Sequence, residues 1–315
     1  MRCEGVPAEP FRHEALLYSG EDEFVTETSS FVRAGVEAEE PTLVVVSARK
    51  IDRLREALGA DAAPVVFADM SDVGANPARI IPAWHRFVAE RAAPNTPLRG
   101  IGEPIYPSRS ADELVESQRH ESLLNLAFAD ARAFWLLCPY DMEALDPAVI
   151  AEAFRSHPHV TGGGTAVVSS QYRGLNEIAA PFRAPLSDTP ADAARLRFGE
   201  EAELASLRRF VVAELARHGV AGDRRSDLTI VVNEIASNSL RHGSGDGELA
   251  IWRAGPRVVC EIRDGGSFDD PLADRRLPAT DRAGGRGLWM ANQLCDLVQV
   301  RSFDSGTVVR LHLAI

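Results

Sequence analysis

Along the first 160 residues, short apolar runs alternate with segments whose apolar positions recur at helical spacing. ALLY (15–18), TLVVVSA (42–48) and VVFA (65–68) read as strands, separated by helices near 21–36 and 50–58. IIPAWHRFVAERA (80–92) and ADELVESQRHESLLNLAFAD (111–130) read as helices, LRGIGEP (98–104) contains a short strand, AFWLLCPYD (133–141) is a buried strand, and a short helix follows near 147–155. That rhythm predicts βαβ units on a mostly parallel sheet. After His157-Pro158-His159 the pattern gives way to TGGGTAVVSSQYRGLNEIAAPFRAPLSDTPADA, whose Gly, Pro and Ser mark a connector. The expected organisation is a first domain at 10–160, a linker at 161–190 and a second domain at 191–315. TGGGT within the linker lacks the lysine of a phosphate loop and reads as a turn.

The second domain opens with a predicted helix at 204–219. SDLTIVVNEIASNSLRHG follows as another helix, with Ser226 as N-cap and Gly243 as its stop. Strands are expected at 248–254, 257–264, 297–303 and 307–314, with a helix at 287–295. This is an α+β pattern, in which helices would cover one face of a mixed sheet.

Length adds that 315 residues suffice for about two domains. Net charge is -12, from 46 acidic against 34 basic residues, a balance that opposes direct binding to nucleic acid or to an anionic membrane. Cys3, Cys138, Cys260 and Cys295 are scattered without paired spacing, as expected of free thiols in a reducing compartment. No apolar run approaches the roughly 18 residues of a membrane helix, and MRCEGVPAEP lacks a signal-peptide core. A cytoplasmic location is therefore expected.

Candidate chemistry concentrates in the second domain. Glu234, Asn238 and His242 fall at i, i+4 and i+8, on one edge of their helix. A carboxylate can take a proton from an attacking oxygen, and an amide oxygen is a hard ligand suited to Mg²⁺. Asp264-Gly265-Gly266 ends a strand, where an acid beside glycines can accept a hydrogen bond from an adenine amino group. Gly285-Arg286-Gly287-Leu288 opens a helix, where an anion can sit. Thr307 opens the last strand and adds a hydroxyl. The intervening 271–284 reads as a mobile lid, and Arg275, Arg276, Arg282 or Arg286 is the candidate to meet phosphate oxygens.

In order and spacing these segments resemble the GHKL ATPases, the superfamily of gyrase, heat-shock chaperones, histidine kinases and MutL. NEIASN (233–238) resembles the N box, and the two glycine segments resemble the two glycine boxes. The E-x-x-x-N-x-x-x-H spacing and the ending GRGLWMANQLCDLVQVRSFDSGTVVRL are most similar to the RsbW type of serine-kinase anti-sigma factor. The resemblance implies a Bergerat-type sandwich, ATP and Mg²⁺ as cofactors, Glu234 as general base, Asn238 as Mg²⁺ ligand, Asp264 and Thr307 at the adenine, and Gly285 to Gly287 around the phosphates. It implies a sigma factor and a STAS-domain anti-anti-sigma factor as partners, and a homodimer. Ser267 and Phe268 stand where many members have another glycine.

The first half resembles the MEDS sensory domain through His13-Glu14, Leu17-Tyr18, Gly102-Glu103-Pro104, Glu121 with Leu124-Asn125-Leu126, Cys138-Pro139-Tyr140-Asp141 and His157-Pro158. It implies a RecA-like α/β fold without a Walker A loop, and a sensory role toward an unidentified ligand. MEDS followed by an ATPase is the order of RsbA-family anti-sigma regulators. His13, Glu103, Glu121, Cys138, Tyr140, Asp141 and His157 either line a sensory pocket or form a satisfied polar network. His13, His85, His120, His157 and His159 match no standard zinc spacing and read as structural.

The expected function is an ATP-dependent serine/threonine kinase that doubles as an anti-sigma factor. One alternative is a sensor histidine kinase, for which no phospho-acceptor helical hairpin is found. The other is a binding module that responds to nucleotide without catalysis.

Overall fold

Thr42–Val46 is buried at every position, which a strand tolerates only when helices cover both faces of its sheet. The computed structural model describes residues 11–91, 96–131, 133–276 and 286–315. They divide into two units, Met1–Phe182 and Arg183–Ile315.

In the first unit β1 (Phe11–Tyr18), α1 (Gly20–Glu37), β2 (Thr42–Val46), α2 (Ala48–Leu58) and β3 (Val66–Asp69) begin the winding. The short α3 (Met70–Val73), α4 (Ile80–Arg91), β4 (Leu98–Gly102), α5 (Ala111–Ala127), β5 (Phe134–Asp141) and α6 (Pro147–Ser156) follow. A hairpin of β6 (His159–Gly162) and β7 (Thr165–Val168) ends it. Strand order is β3-β2-β4-β5-β1-β6-β7, parallel except for the β6–β7 pair, as the βαβ rhythm predicts. The hairpin occupies residues expected to be connector. Its turn carries Gly163 and Gly164 at φ 58° and 76°, the left-handed pair that a two-residue hairpin needs, which accounts for TGGGT. A capping box starts α5: Glu113 N donates to Ser110 Oγ, while Ser110 N donates to the Glu113 carboxylate at 2.9 Å.

In the second unit β8 (Ala194–Phe198) precedes α7 (Leu204–Arg217) and α8 (Gly222–His242). β9 (Gly247–Ala254), β10 (Arg257–Asp264), α9 (Gly287–Leu294), β11 (Leu297–Phe303) and β12 (Gly306–Ala314) complete it. The sheet runs β11-β12-β10-β9-β8 and is antiparallel throughout, not mixed. Nor does the unit open on a helix: β8 is an edge strand whose alternating ARLRF is too short for periodicity to declare. Ser226 does not cap α8, which starts a turn earlier, and its hydroxyl donates back to Gly222 O at 3.1 Å.

Val231, Val232 and Ile235 of α8 pack with Leu207, Val211 and Leu215 of α7 onto the sheet face formed by Leu249, Val258, Cys260, Ile262, Val309 and Leu311. Among the described residues the opposite face carries no α-helix, yet it too is buried. Ala250, Trp252 and Val259 pack there with Ala193. The stretch from 184 to 193 straps across it: Arg301 Nε donates to Ala184 O at 3.1 Å and Arg310 to Ser187 O at 2.6 Å, while Thr189 Oγ1 donates to Glu261 at 2.5 Å. The later part of the expected linker is thus a structural layer of this unit. Cys138, Cys260 and Cys295 are buried free thiols, whereas Cys3 lies outside the described residues. No described helix is long and apolar enough to cross a membrane.

Candidate functional site

Helical periodicity splits α8 into a core face and a polar edge, and the fold aims the edge at α9. Glu234 and Asn238 are half-buried, and neither side chain hydrogen-bonds to a described residue. A Cβ on Gly287 would lie 2.8 Å from Asn238 Nδ2 and 3.6 Å from Glu234 Cβ. Glycine is thus what lets the start of α9 approach this edge. Of the second glycine segment, Gly287 is buried, Leu288 packs partly against the core and Arg286 is exposed. Gly285 lies outside the described residues. His242, a turn beyond Asn238, is exposed at the helix end beside the C-cap Gly243.

A second corner forms where β10, β12 and the end of α8 meet. Asp264 pairs in register with Thr307, opposite Gly247. Its Oδ1 accepts from Gly266 N at 2.8 Å and its Oδ2 from Ser239 Oγ at 2.6 Å, which leaves a lone pair on each oxygen for a ligand amino group. Thr307 Oγ1 donates to Gly266 O at 2.8 Å and so holds the loop rather than projecting freely. A Cβ on Gly266 would meet Gly243 Cα at 2.5 Å. The absence of a third glycine is accommodated: Phe268 N donates to Ser302 Oγ at 2.9 Å, and the chain leaves the corner there.

Sequence reasoning missed Ser239 and Ser302. Ser239 lies one residue past Asn238, and only the antiparallel sheet brings Asp264 to it. An open cleft of about 680 Å³ adjoins the Asp264 strand end; it includes Asp246, Glu248, Arg263, Asp264 and Gly265 in its lining and leaves out Glu234 and Asn238.

The expected mobile lid is packed at its start. Leu272, Asp274 and Arg275 are buried, and Asn292 Nδ2 on α9 donates to Asp274 O at 2.6 Å. Arg275 lies buried with its Nε 3.7 Å from Asp274 Oδ2, and Arg276 pairs with Asp270 at 3.2 Å. Of the arginines proposed for phosphate, Arg286 is exposed, while Arg282 lies outside the described residues.

In the first unit the expected sensory set separates into two groups. His13 on β1, Cys138 on β5, Glu121 on α5 and His157 at the end of α6 converge, their ligand atoms all within 4.8 Å of one another and all four side chains buried. Both Nε2 atoms, of His13 and His157, lie 3.1 Å from Glu121 Oε2, and Cys138 Sγ is 3.4 Å from His13 Nε2. Tyr140 packs edge-on to His157 at 5.5 Å between centroids. Burial, reinforced by neighbouring His157, lowers His13 to about 4, and burial with the Glu121 charge pushes the Cys138 thiol well up.

Glu103 belongs to the other group, beyond the C-terminal ends of the strands. It accepts from Tyr18 at 2.7 Å and from Lys50 at 2.5 Å. Burial raises its carboxyl, and Lys50 offsets this only in part. Asp141, at the end of β5, accepts from Glu143 N at 3.0 Å and caps the following turn. Tyr18 belongs to the MEDS resemblance but not to the expected pocket, and Lys50 to neither; Tyr18 ends β1 and Lys50 lies in the first turn of α2, just after β2, where ligands of such sheets are bound.

Residues 12–158 match the family model of the MEthanogen/methylotroph, DcmR Sensory domain (MEDS), and residues 199–313 match that of the histidine kinase-like ATPase domain. The chain therefore carries a MEDS domain followed by a histidine kinase-like ATPase domain. No curated protein matches it. Among solved structures, the RsbU and RsbW domains of Rv1364c from Mycobacterium tuberculosis match with 18% identity over 38% of this chain and 32% of that one, at a TM-score of 0.30. This chain thus spans about a third of that neighbour's length. An ATPase domain of this kind implies ATP as ligand, and the donors on α8 and β10 fit it. Asp264 keeps acceptor capacity for an amino group, and Asn238 presents an uncommitted amide whose oxygen suits Mg²⁺.

Proposed function

We propose that the C-terminal domain binds ATP with Mg²⁺ and phosphorylates a serine or threonine on a STAS-domain anti-anti-sigma factor. In this reading it also sequesters a sigma factor, so that the chain works as an anti-sigma switch governed by its MEDS domain. The observation that carries the reading is the α8 edge. Glu234 and Asn238 stand a turn apart against Gly287, half-buried and uncommitted to any described neighbour. Two polar groups on a core helix that are left without a protein partner are open to a ligand.

Asp264, fixed by Ser239 and Gly266 N, accepts from the adenine amino group, and Thr307 holds the Gly266 carbonyl that shapes this seat. Bound through Asn238, Mg²⁺ would neutralise phosphate charge. Glu234 orients the acceptor hydroxyl and takes its proton as the oxygen bonds to the γ-phosphorus and the bond to the departing ADP oxygen breaks.

The test incubates the full chain with labelled ATP and candidate STAS-domain proteins. Transfer to a serine or threonine that collapses in Glu234→Gln, with ATP binding retained, is the expected result. Transfer indifferent to Glu234→Gln removes the base assignment. Nucleotide binding without transfer to any candidate, with partner affinity still responding to ATP, replaces the kinase by a nucleotide-dependent binding module.

A further inference from the structure

We infer that His13, Glu121, Cys138 and His157 bind a divalent transition-metal ion of borderline softness, zinc by chemistry, inside the MEDS domain. Each ligand comes from a different element, two adjacent parallel strands and two helices packed near them, and the described chain seals the group from solvent.

Three of the six separations lie close to those of a tetrahedral shell, and all of them fall within 4.8 Å. Metal–nitrogen and metal–oxygen bonds of about 2.0–2.2 Å and metal–sulfur bonds of about 2.3 Å place neighbouring ligand atoms about 3.3–3.7 Å apart. Observed distances are 3.1 Å for each histidine Nε2 to Glu121 Oε2 and 3.4 Å for Cys138 Sγ to His13 Nε2. Closing on an ion needs shifts of about an ångström or less.

Proton placement points the same way. Asn125 Nδ2 donates to the carbonyls of Ser122 at 3.2 Å and Ser156 at 2.8 Å, so its Oδ1 is the atom 3.2 Å from His13 Nδ1, and that nitrogen must carry the proton. His157 Nδ1 is 2.9 Å from Ala153 O and donates to it where the Ser156 hydroxyl, 3.0 Å from the same nitrogen, is given to the Glu152 carbonyl at 3.0 Å. With Nδ1 occupied in this way, Nε2 is the nitrogen that each ring turns onto the same carboxylate oxygen, and an ion placed between them would take both Nε2 lone pairs and that oxygen together. The Nδ1–H groups held by Asn125 Oδ1 and a backbone carbonyl are the outer contacts that metal-bound histidines make. Glu121 Oε1 accepts from no described residue although the side chain is buried.

Charge closes as well. A dication with one carboxylate, one thiolate and two neutral imidazoles is neutral, whereas the carboxylate alone would be a buried negative charge. Binding releases the Cys138 proton to solvent. Two nitrogens, one oxygen and one sulfur suit zinc, and cobalt(II) serves as its coloured probe.

The untagged full-length chain is purified from zinc-replete cells, its metal content measured, and the ion then exchanged for Co²⁺. Expected are about one zinc per chain, tetrahedral Co²⁺ visible bands, and a thiolate-to-cobalt charge-transfer band lost in Cys138→Ser. Glu121→Gln and His157→Gln each lower metal retention at least about tenfold. Chelation lowers the Tm of the wild type but leaves Glu121→Gln unmoved. Should a ligand variant fail to fold by circular dichroism, Asn125→Ala is read instead. It keeps all four ligands and is expected to weaken Co²⁺ about tenfold with the bands in place. A wild type with no stoichiometric metal and no Co²⁺ bands overturns the site and leaves a shared proton between the histidines and Glu121. Bands that persist in Cys138→Ser, or an Asn125→Ala of unchanged affinity, overturn it too.

Discussion

Gly265 and Gly266 are neighbours in one loop, yet alanine is expected to be tolerated at the first and damaging at the second. At Gly266 the new Cβ would stand 2.5 Å from Gly243 Cα and 3.0 Å from Asp264 Oδ1. Carbon atoms prefer about 3.5–4.0 Å, so two main-chain segments, the β10 loop and the end of α8, must part by about 1 Å. Overpacking of that kind costs about 1–3 kcal/mol. Separation also weakens the bonds from Gly266 N to Asp264 and from Thr307 to Gly266 O, at about 1 kcal/mol each. A total of about 3–5 kcal/mol follows, with Asp264 turned away from its ligand. At Gly265 the close atoms are Ser244 Cβ at 2.9 Å and Oγ at 3.1 Å; side-chain rotation cannot move that Cβ, but Ser244 is exposed and lies between Gly243 and Gly245, so this short loop can give by the roughly 0.6 Å needed. The cost there is about 1 kcal/mol, the low end of the overpacking range. Urea unfolding reads the stability of each variant, and titration with a fluorescent ATP analogue reads the site. Gly266→Ala is expected to raise Kd by about tenfold or more, and Gly265→Ala to leave it within about twofold. Equal responses at the two positions would refute the reasoning, because what separates them is how close the facing carbon lies and how freely its segment can shift.

Glu234→Gln is expected to slow phosphoryl transfer by about 10²-fold or more while ATP affinity stays within about threefold, in single-turnover and equilibrium-binding assays respectively. Ser239→Ala removes the 2.6 Å hydroxyl bond to Asp264 and is expected to weaken ATP about tenfold by the same titration, with Glu234-dependent chemistry intact once the site is saturated. Glu261 is buried against Arg310 at 2.7 Å; burial pushes its carboxyl up, but hydrogen bonds from Thr189 and Arg263 and the Arg310 charge outweigh this and hold it below the usual carboxylate range. Its stabilisation is therefore complete above an unfolded value of about 4.3 and is lost as pH falls through the lower folded value. Glu261→Gln is expected to cost about 2 kcal/mol at pH 7, less than a bare buried arginine would because Arg310 keeps Ser187, and to flatten the acid limb of a urea-midpoint series between pH 6 and 3. An unchanged acid limb in the variant places the pH sensitivity elsewhere.

Local pattern carried most of the architecture. TLVVV and FWLLCPYD announce buried parallel strands, and α8 shows both its core face and its polar edge, because helical spacing places Glu234 and Asn238 together whatever the rest of the chain does. Gly287 and Gly266 were legible as glycines in a motif order, although what each approaches was not. The strap over the second sheet face went unread, since APLSDTPADA has the composition of a linker and becomes a layer only when Arg301, Arg310 and Glu261 meet it. The start of the lid misled for a related reason: PLADRR is polar, yet Leu272 and Asn292 anchor it.

By itself the sequence pointed to two domains, to most but not all of their strands and helices, and to the side chains on the α8 edge, all of which follow from spacings within a single element or loop. Tertiary structure alone decided which distant groups share a site. Asp264 meets Ser239 across 25 residues, and His13 meets Glu121 and Cys138 across 108 and 125. Such encounters leave no fixed spacing in the chain, because strand order and loop length set them, and either can vary without moving the atoms that meet.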